Sequence, residues 1–157
     1  MNIFDVHIKN GEVIDGTGAP KFKSDIVIDK GKIIGVFPAE NGDVRDPSEN
    51  HFLSNFKAKH TINAENKIIS PGFIDVHTHD DDNVFLDPSM SSKISQGVTT
   101  CVAGNCGISL APFSYKGEVP APIALLGKSE VFRFPRVSDY KEEFNNKPSS
   151  VNLALLT

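Results

Sequence analysis

Ile69-Ser70-Pro71-Gly72-Phe73-Ile74-Asp75-Val76-His77-Thr78-His79 decides how the rest of this 157-residue chain is read. Before Pro71, short apolar stretches alternate with polar residues between frequent turn signals. From Gly72 to His77 the run is mainly apolar, the pattern of a strand buried on both faces in a parallel sheet. A second domain is expected to begin here, dividing the chain into residues 1–69 and 70–157.

Downstream, Asp87-Pro88-Ser89 is expected to open a short helix through about Gln96, with Gly97 as its C-terminal stop. Val98-Thr99-Thr100-Cys101-Val102-Ala103 is rich in β-branched residues and reads as the next strand, ending at Gly104-Asn105-Cys106-Gly107. Residues 108–136 hold Pro112, Pro120, Pro122 and Pro135 and read mostly as loop. A helix follows over Ser138–Asn145, with Asp139 and Glu142 placed as a capping box. Lys147-Pro148 ends it, and Val151–Leu156 reads as a third buried strand. This alternation of strands and helices marks the start of an α/β array with parallel strands.

Upstream, Val6 and Ile8 alternate with polar neighbours up to Asn10-Gly11, a dipeptide suited to a type I′ hairpin. Asp25–Ile28 and Lys32–Val36 form a second pair around Asp29-Lys30-Gly31. The expectation is a small antiparallel sheet with one apolar face. Residues 38–59 read as a surface excursion, with Phe52, Leu53 and Phe56 available for docking. Thr61–Ala64 and Lys67–Ile69 then return the chain to the sheet as two short strands.

Composition narrows the function classes. The chain is 39% hydrophobic and 23% charged, with a formal net charge of -4, so it lacks the basic footprint of a nucleic-acid or anionic-membrane binder. No apolar run approaches the roughly 18 residues of a membrane span. Met1–His7 lacks the basic and apolar segments of a secretory signal. Cys101 and Cys106 are too few for a disulfide scaffold and lack zinc-finger spacing, so the expected location is a reducing cytoplasm.

His77-Thr78-His79 is the main chemical signal. Residues two apart in a strand share a face, so two imidazoles there can bind one metal ion. Bare His-x-His pairs also occur on surfaces, but this pair follows the apolar run and lies at a strand's C-terminal end, where β/α barrels carry their active sites. Cys106 follows the next strand at its own C-terminal end. Taken alone it reads first as a small buried hydrophobe, but its shared location with the histidines reverses the order in favour of a thiolate ligand. Cys101, inside the strand, reads as a core residue. Asp80-Asp81-Asp82 is expected to be a solvated loop, one of whose carboxylates could contact a ligating histidine. Asp75 is expected to bond locally, and His7, His51 and His60 to lie on the surface. The glycines around Cys106 lack the spacing of a phosphate-binding loop.

Asn10-Gly11-Glu12-Val13-Ile14-Asp15-Gly16-Thr17-Gly18 and Ile69–His79 together resemble the opening of the amidohydrolase superfamily. Lys93–Thr100, continuing through Gly104-Asn105-Cys106-Gly107-Ile108-Ser109-Leu110-Ala111-Pro112, resembles its N-acyl-D-amino-acid deacylase (D-aminoacylase) branch. The resemblance covers most of the chain apart from 38–59 and the less distinctive 113–147.

The resemblance implies an α/β fold: the start of a (β/α)8 barrel preceded by a small β-domain. It implies zinc, with Cys106 a ligand where relatives use a carboxylated lysine, and His77 and His79 forming the second metal position. The substrate would be a small N-acyl-D-amino acid, with no nucleic acid or membrane partner and the oligomeric state left open. Zinc would acidify water and polarise the amide, and an aspartate would carry the proton. That aspartate and two further histidine ligands would come from later strands, beyond Thr157. A closed barrel takes about 250 residues, so the chain is expected to be part of a longer product and inactive alone. Three open strands would leave an exposed edge and an uncovered apolar face. Two other readings stand beside this one. One is a non-catalytic remnant of an amidohydrolase. The other is a related cyclic-amide hydrolase (hydantoinase- or dihydroorotase-like), with a metal-bridging lysine in the role of Cys106.

Overall fold

The computed structural model describes residues 2–38 and 56–157, which divide into two compact units, Met1–Pro71 and Gly72–Thr157. His51, Phe52, Leu53 and most of the anticipated 38–59 excursion lie outside the described residues.

The first unit is one sheet. Its strands are β1 (Asn2–Val13), β2 (Phe22–Asp29), β3 (Lys32–Pro38), β4 (Phe56–Asn63) and β5 (Ile68–Ile69). The order is β3-β2-β1-β4, with β5 also pairing β1. β2 runs antiparallel to both β1 and β3, but β4 and β5 run parallel to β1. The sheet is therefore mixed, which corrects the antiparallel expectation. Phe56–Lys59, expected in the excursion, belong to β4.

Asn10-Gly11 forms no hairpin. It lies inside β1, where the register to β2 shifts between Ile8 and Gly11, so that Lys9 and Asn10 together oppose Asp25. This is a β-bulge, which uses the same left-handed tolerance as the turn; Asn10 has φ 63°. The Asp25 carboxylate holds the bulge by accepting from the Asn10 amide at 2.9 Å, and its other oxygen meets His7 Nε2 at 2.7 Å. His7 is therefore buried with Asp25 rather than placed on the surface. The hairpin predicted at Lys30-Gly31 does form: Asp29 pairs Lys32, and both turn residues have positive φ.

The second unit is built on three parallel strands, β6 (Phe73–Asp75), β7 (Val98–Ala103) and β10 (Asn152–Leu155), adjacent in chain order. Between them lie α1 (Asn83–Leu86), α2 (Ser91–Ile94), a two-stranded ribbon of β8 (Phe113–Ser114) and β9 (Arg133–Phe134), and α3 (Val137–Asn146). The helix expected over Asp87–Gln96 is only α2, entered through Met90 in a left-handed conformation; Gly97 closes it as anticipated. α3 does not use the expected capping box. Its N-cap is Arg136, with no side-chain cap bond, and Asp139 accepts instead from Arg136 Nε at 3.0 Å.

The core of this unit gathers Val84, Met90, Cys101, Leu110, Phe132, Phe134, Tyr140 and Val151. Cys101 is the buried hydrophobe the sequence suggested, and burial raises its thiol's pKa. Residues 108–136, read as loop, supply much of the core through Ile108, Leu110, Leu126 and Phe132. Gly72–His77 departs from expectation. Among the described residues β6 pairs only with β7, and Phe73, Ile74 and Val76 are 61%, 60% and 68% exposed. Burying both faces needs layers on both sides, and no described residue supplies them here. No helix among the described residues is long and apolar enough to cross a membrane.

Candidate metal centre

The second unit brings His77, His79 and Cys106 together. One donor atom from each lies within 4.8 Å of the other two. His77 Nε2 is 3.1 Å from Cys106 Sγ, and the two imidazoles meet edge to face with centroids 5.8 Å apart. Nitrogen and sulfur donors on one tetrahedral zinc stand roughly 3.5 Å apart, from bond lengths of about 2.0–2.3 Å. Small side-chain rotations close this triangle onto one ion. The fit has a second support: His79 Nδ1 is buried with no hydrogen-bond partner among the described residues. An imidazole nitrogen left dry and unpartnered is costly unless something accepts its lone pair or takes its proton.

Both histidines lie just past the end of β6, not inside it. The Thr78 amide donates to Val102 O at 3.0 Å and continues the pairing to β7 beyond Asp75. Cys106 reaches the site by a different route. β7 ends at Gly104 (φ 77°), and Cys106 itself stands at φ 60°, followed by Gly107 at φ 68°. A non-glycine residue in this region carries strain, and such strain gathers at functional sites. Gly104 is required for space as well, because a Cβ there would collide with the Leu156 carbonyl oxygen just after β10.

Two ties hold the donor loops against each other. Asn105 Nδ2 donates to Val102 O at 2.7 Å and to Thr78 O at 3.4 Å. Asp81 is fully buried, and its carboxylate accepts from the amides of Gly104 and Leu110, each at 3.4 Å. Burial raises the Asp81 pKa, opposed by those amides. Tyr140 OH donates to Asp81 O at 2.7 Å and anchors the segment to α3. Burial also raises Asp82, whose carboxylate lies 3.9 Å from Arg133. The solvated acidic loop of the sequence reading is thus corrected: Asp81 and Asp82 are interior residues.

Asp75 and Asp80 flank the histidines and share one cation. Lys93 Nζ lies 2.7 Å from Asp75 Oδ2 and 2.9 Å from Asp80 Oδ2. The Lys93 bond is the main cause of a lowered Asp75 pKa. Partial burial disfavours the charge on Lys93, but the two carboxylates outweigh it and push its pKa above the ordinary lysine range. Asp75 also accepts from the His77 amide at 3.4 Å, the local bond expected of it. Lys93, Asn105 and Tyr140 carry no role in the sequence reading, and Asp81 appears there only as part of a solvated acidic run. Their partners lie 13 to 59 residues away, apart from the nearby Val102, and no short-range spacing announces them. His60 is exposed on β4.

A family model described as the amidohydrolase family matches residues 60–146. The chain is 38% identical over 154 residues to D-aminoacylase of Alcaligenes xylosoxydans xylosoxydans, covering 98% of this chain and 28% of that relative. Among solved structures it is similar to a D-aminoacylase with a binuclear metal center (44% identity, TM-score 0.83), covering 98% of this chain and 29% of that one. It is also similar to N-acyl-D-glutamate deacylase from Bordetella bronchiseptica, complexed with zinc and a phosphonate mimic of the reaction's tetrahedral intermediate. There the identity is 37% and the TM-score 0.83, covering 99% of this chain and 30% of that one. The chain therefore spans less than a third of each of these relatives.

Proposed function

The chain belongs to the amidohydrolase family, and from that premise we propose that the full-length protein hydrolyses the amide bond of N-acyl-D-amino acids, using zinc held in part by His77, His79 and Cys106. The observation that carries this reading is the convergence of two imidazoles and one thiol within 4.8 Å. Zinc accepts nitrogen and thiolate donors together, whereas magnesium, calcium and manganese prefer oxygen. The deacylases to which the chain is similar support the substrate class.

The division of labour follows from the chain's own groups. As zinc ligands, His77 and His79 would each give a ring-nitrogen lone pair and Cys106 would bind through its sulfur as a thiolate. Asp81 and Asn105 hold the two donor loops in register. When bound, zinc supplies Lewis-acid polarisation of an amide carbonyl and acidifies water near neutral pH. Parallel β6, β7 and β10, in chain order and with donors beyond the ends of β6 and β7, support reading residues 70–157 as the first β/α units of a barrel, with residues 1–69 as its small β-domain. Free thiols at Cys101 and Cys106 suit a reducing cytoplasm.

The test compares the full-length protein with its Cys106→Ala variant. Zinc content and hydrolysis of N-acetyl-D-amino acids are both expected to fall in the variant. A wild-type protein that holds no zinc, or that opens hydantoin-like rings while leaving N-acyl-D-amino acids intact, would overturn the proposal.

A further inference from the structure

Four carboxylates, Asp75, Asp80, Asp81 and Asp82, lie close to the donor residues in sequence, and each is set against another group of this chain. Asp75 lies two residues before His77, and Asp80 follows His79 directly. Asp75 Oδ1 accepts from the His77 amide and Asp75 Oδ2 from Lys93. Asp80 Oδ1 accepts from Asn83 Nδ2 at 3.4 Å, and Asp80 Oδ2, buried and without a hydrogen bond of good geometry, has the Lys93 ammonium as its ion-pair partner at 2.9 Å. Asp81 is turned to the amides of Gly104 and Leu110, and Asp82 toward Arg133. What remains free for a cation is the nitrogen and sulfur set of His77, His79 and Cys106.

We propose that Lys93 sets the metal preference of this site by withholding the carboxylates of Asp75 and Asp80 from the ion. The inference rests on the zinc reading above and deepens it. One ammonium on α2 reaches the carboxylates on both sides of the His-Thr-His segment. The side chains of Lys93 and Asp80 are only 20% and 18% exposed, so this is a partly dry ion pair rather than a screened surface contact. Without the ammonium, two carboxylates lose their cation beside a metal site and become available to it. Oxygen donors added to the set shift its preference from zinc toward manganese.

The test uses the full-length protein, loaded with zinc alone or manganese alone, with both affinities measured by chelator competition. Lys93→Met is expected to raise manganese affinity relative to zinc by at least about tenfold, the scale on which groups supporting metal ligands act, while Lys93→Arg keeps the wild-type ratio. An unchanged ratio in Lys93→Met, with circular dichroism showing the fold intact, overturns the inference. Should Lys93→Met fail to fold, Asp80→Asn decides. Its zinc affinity is expected to stay within about tenfold of wild type, and a loss beyond about a hundredfold, past the range of groups that only support a ligand, shows a carboxylate already bound to the ion and overturns the inference. Cobalt substitution separates the two levels. A wild type without thiolate-to-cobalt absorption sinks the role of Cys106 and this inference with it. The absorption band combined with an unchanged metal ratio sinks only the role of Lys93.

Discussion

Cys106 holds a left-handed backbone at φ 60°. For a side chain with a Cβ this costs on the order of 1 kcal/mol or more, and glycine escapes it. If the thiol is there for the metal, stability and binding should separate at this position. Cys106→Gly is expected to leave the metal-free full-length protein as stable as wild type, or up to about 1 kcal/mol more stable in urea titrations, while abolishing zinc retention. Cys106→Ala keeps the strain and loses the zinc. A clear destabilisation by glycine would mean that the thiol serves packing instead. Tyr140 offers a second test at this scale. Burial raises its pKa, with the charges of Asp81 and Asp82 adding to the effect. A group whose folded pKa is raised contributes stability that is fully present below its unfolded value, about 10, and lost as pH rises beyond it. Stability is therefore expected to fall above about pH 10, with phenolate absorbance from Tyr140 appearing only with unfolding. Tyr140→Phe removes that component and, by leaving the buried Asp81 carbonyl without its donor, costs about 1–3 kcal/mol at neutral pH.

At the scale of elements, the bulge of β1 depends on the buried Asp25 carboxylate, which holds both Asn10 and His7. Asp25→Ala leaves the buried His7 nitrogen and the Asn10 amide without their acceptor, and is expected to destabilise the first unit by about 1–3 kcal/mol per group left unpaired. Hydrogen exchange of the β1 and β2 amides measures this without requiring the whole protein to unfold in one step. Gly104→Ala forces a Cβ into the Leu156 carbonyl at a positive φ. The end of β7 must then move away from Leu156, and weaker zinc retention is expected to accompany the loss of stability. These two elements also show what a sequence can reveal. Asn10-Gly11 and Lys30-Gly31 both pointed to residues that tolerate positive φ, and both pairs include such residues. Whether that bend closes a hairpin or bulges a strand is settled elsewhere. Ile69 fills the space over Gly11 and Asp25 grips Asn10, contacts that close over 58 and 15 residues. The candidate site divides in the same way. His77, His79 and Cys106 were legible because each follows an apolar strand, and strand ends in parallel sheets share a face. The burial of Asp81 and the double grip of Lys93 were not legible, since an acidic run reads as solvated until its partners are known. β4 and β5 were found as strands, but local alternation does not tell a parallel partner of β1 from an antiparallel one.

On the scale of the whole chain, apolar surface is the decisive feature. In the first unit Ile3, Ile33, Ile34, Val36, Ile62 and Ile68 are exposed, and in the second Phe73, Ile74 and Val76. Soluble proteins rarely leave apolar side chains grouped on a sheet uncovered, and exposed apolar surface favours association or partner binding. The chain spans 28% of a curated deacylase relative, so a longer protein would have residues to lay over these faces. Two consequences separate the 157 residues from such a protein. Expressed alone, the 157 residues are expected to self-associate and to bind an apolar dye strongly, whereas the full-length protein does neither; sedimentation and dye fluorescence measure this. Catalysis should divide in the same way. Three donors can hold an ion weakly, but amide hydrolysis also needs a group that gives a proton to the leaving amine. The carboxylates around the donors are committed to Lys93, Arg133 and backbone amides and are poorly placed for that task. The 157 residues alone are therefore expected to take up zinc in a Cys106-dependent way and to release no measurable amine from N-acetyl-D-amino acids. Turnover by the 157 residues alone would mean that one of these carboxylates leaves its partner during the reaction, and Asp80, held by a single lysine and an amide side chain, would be the first to substitute.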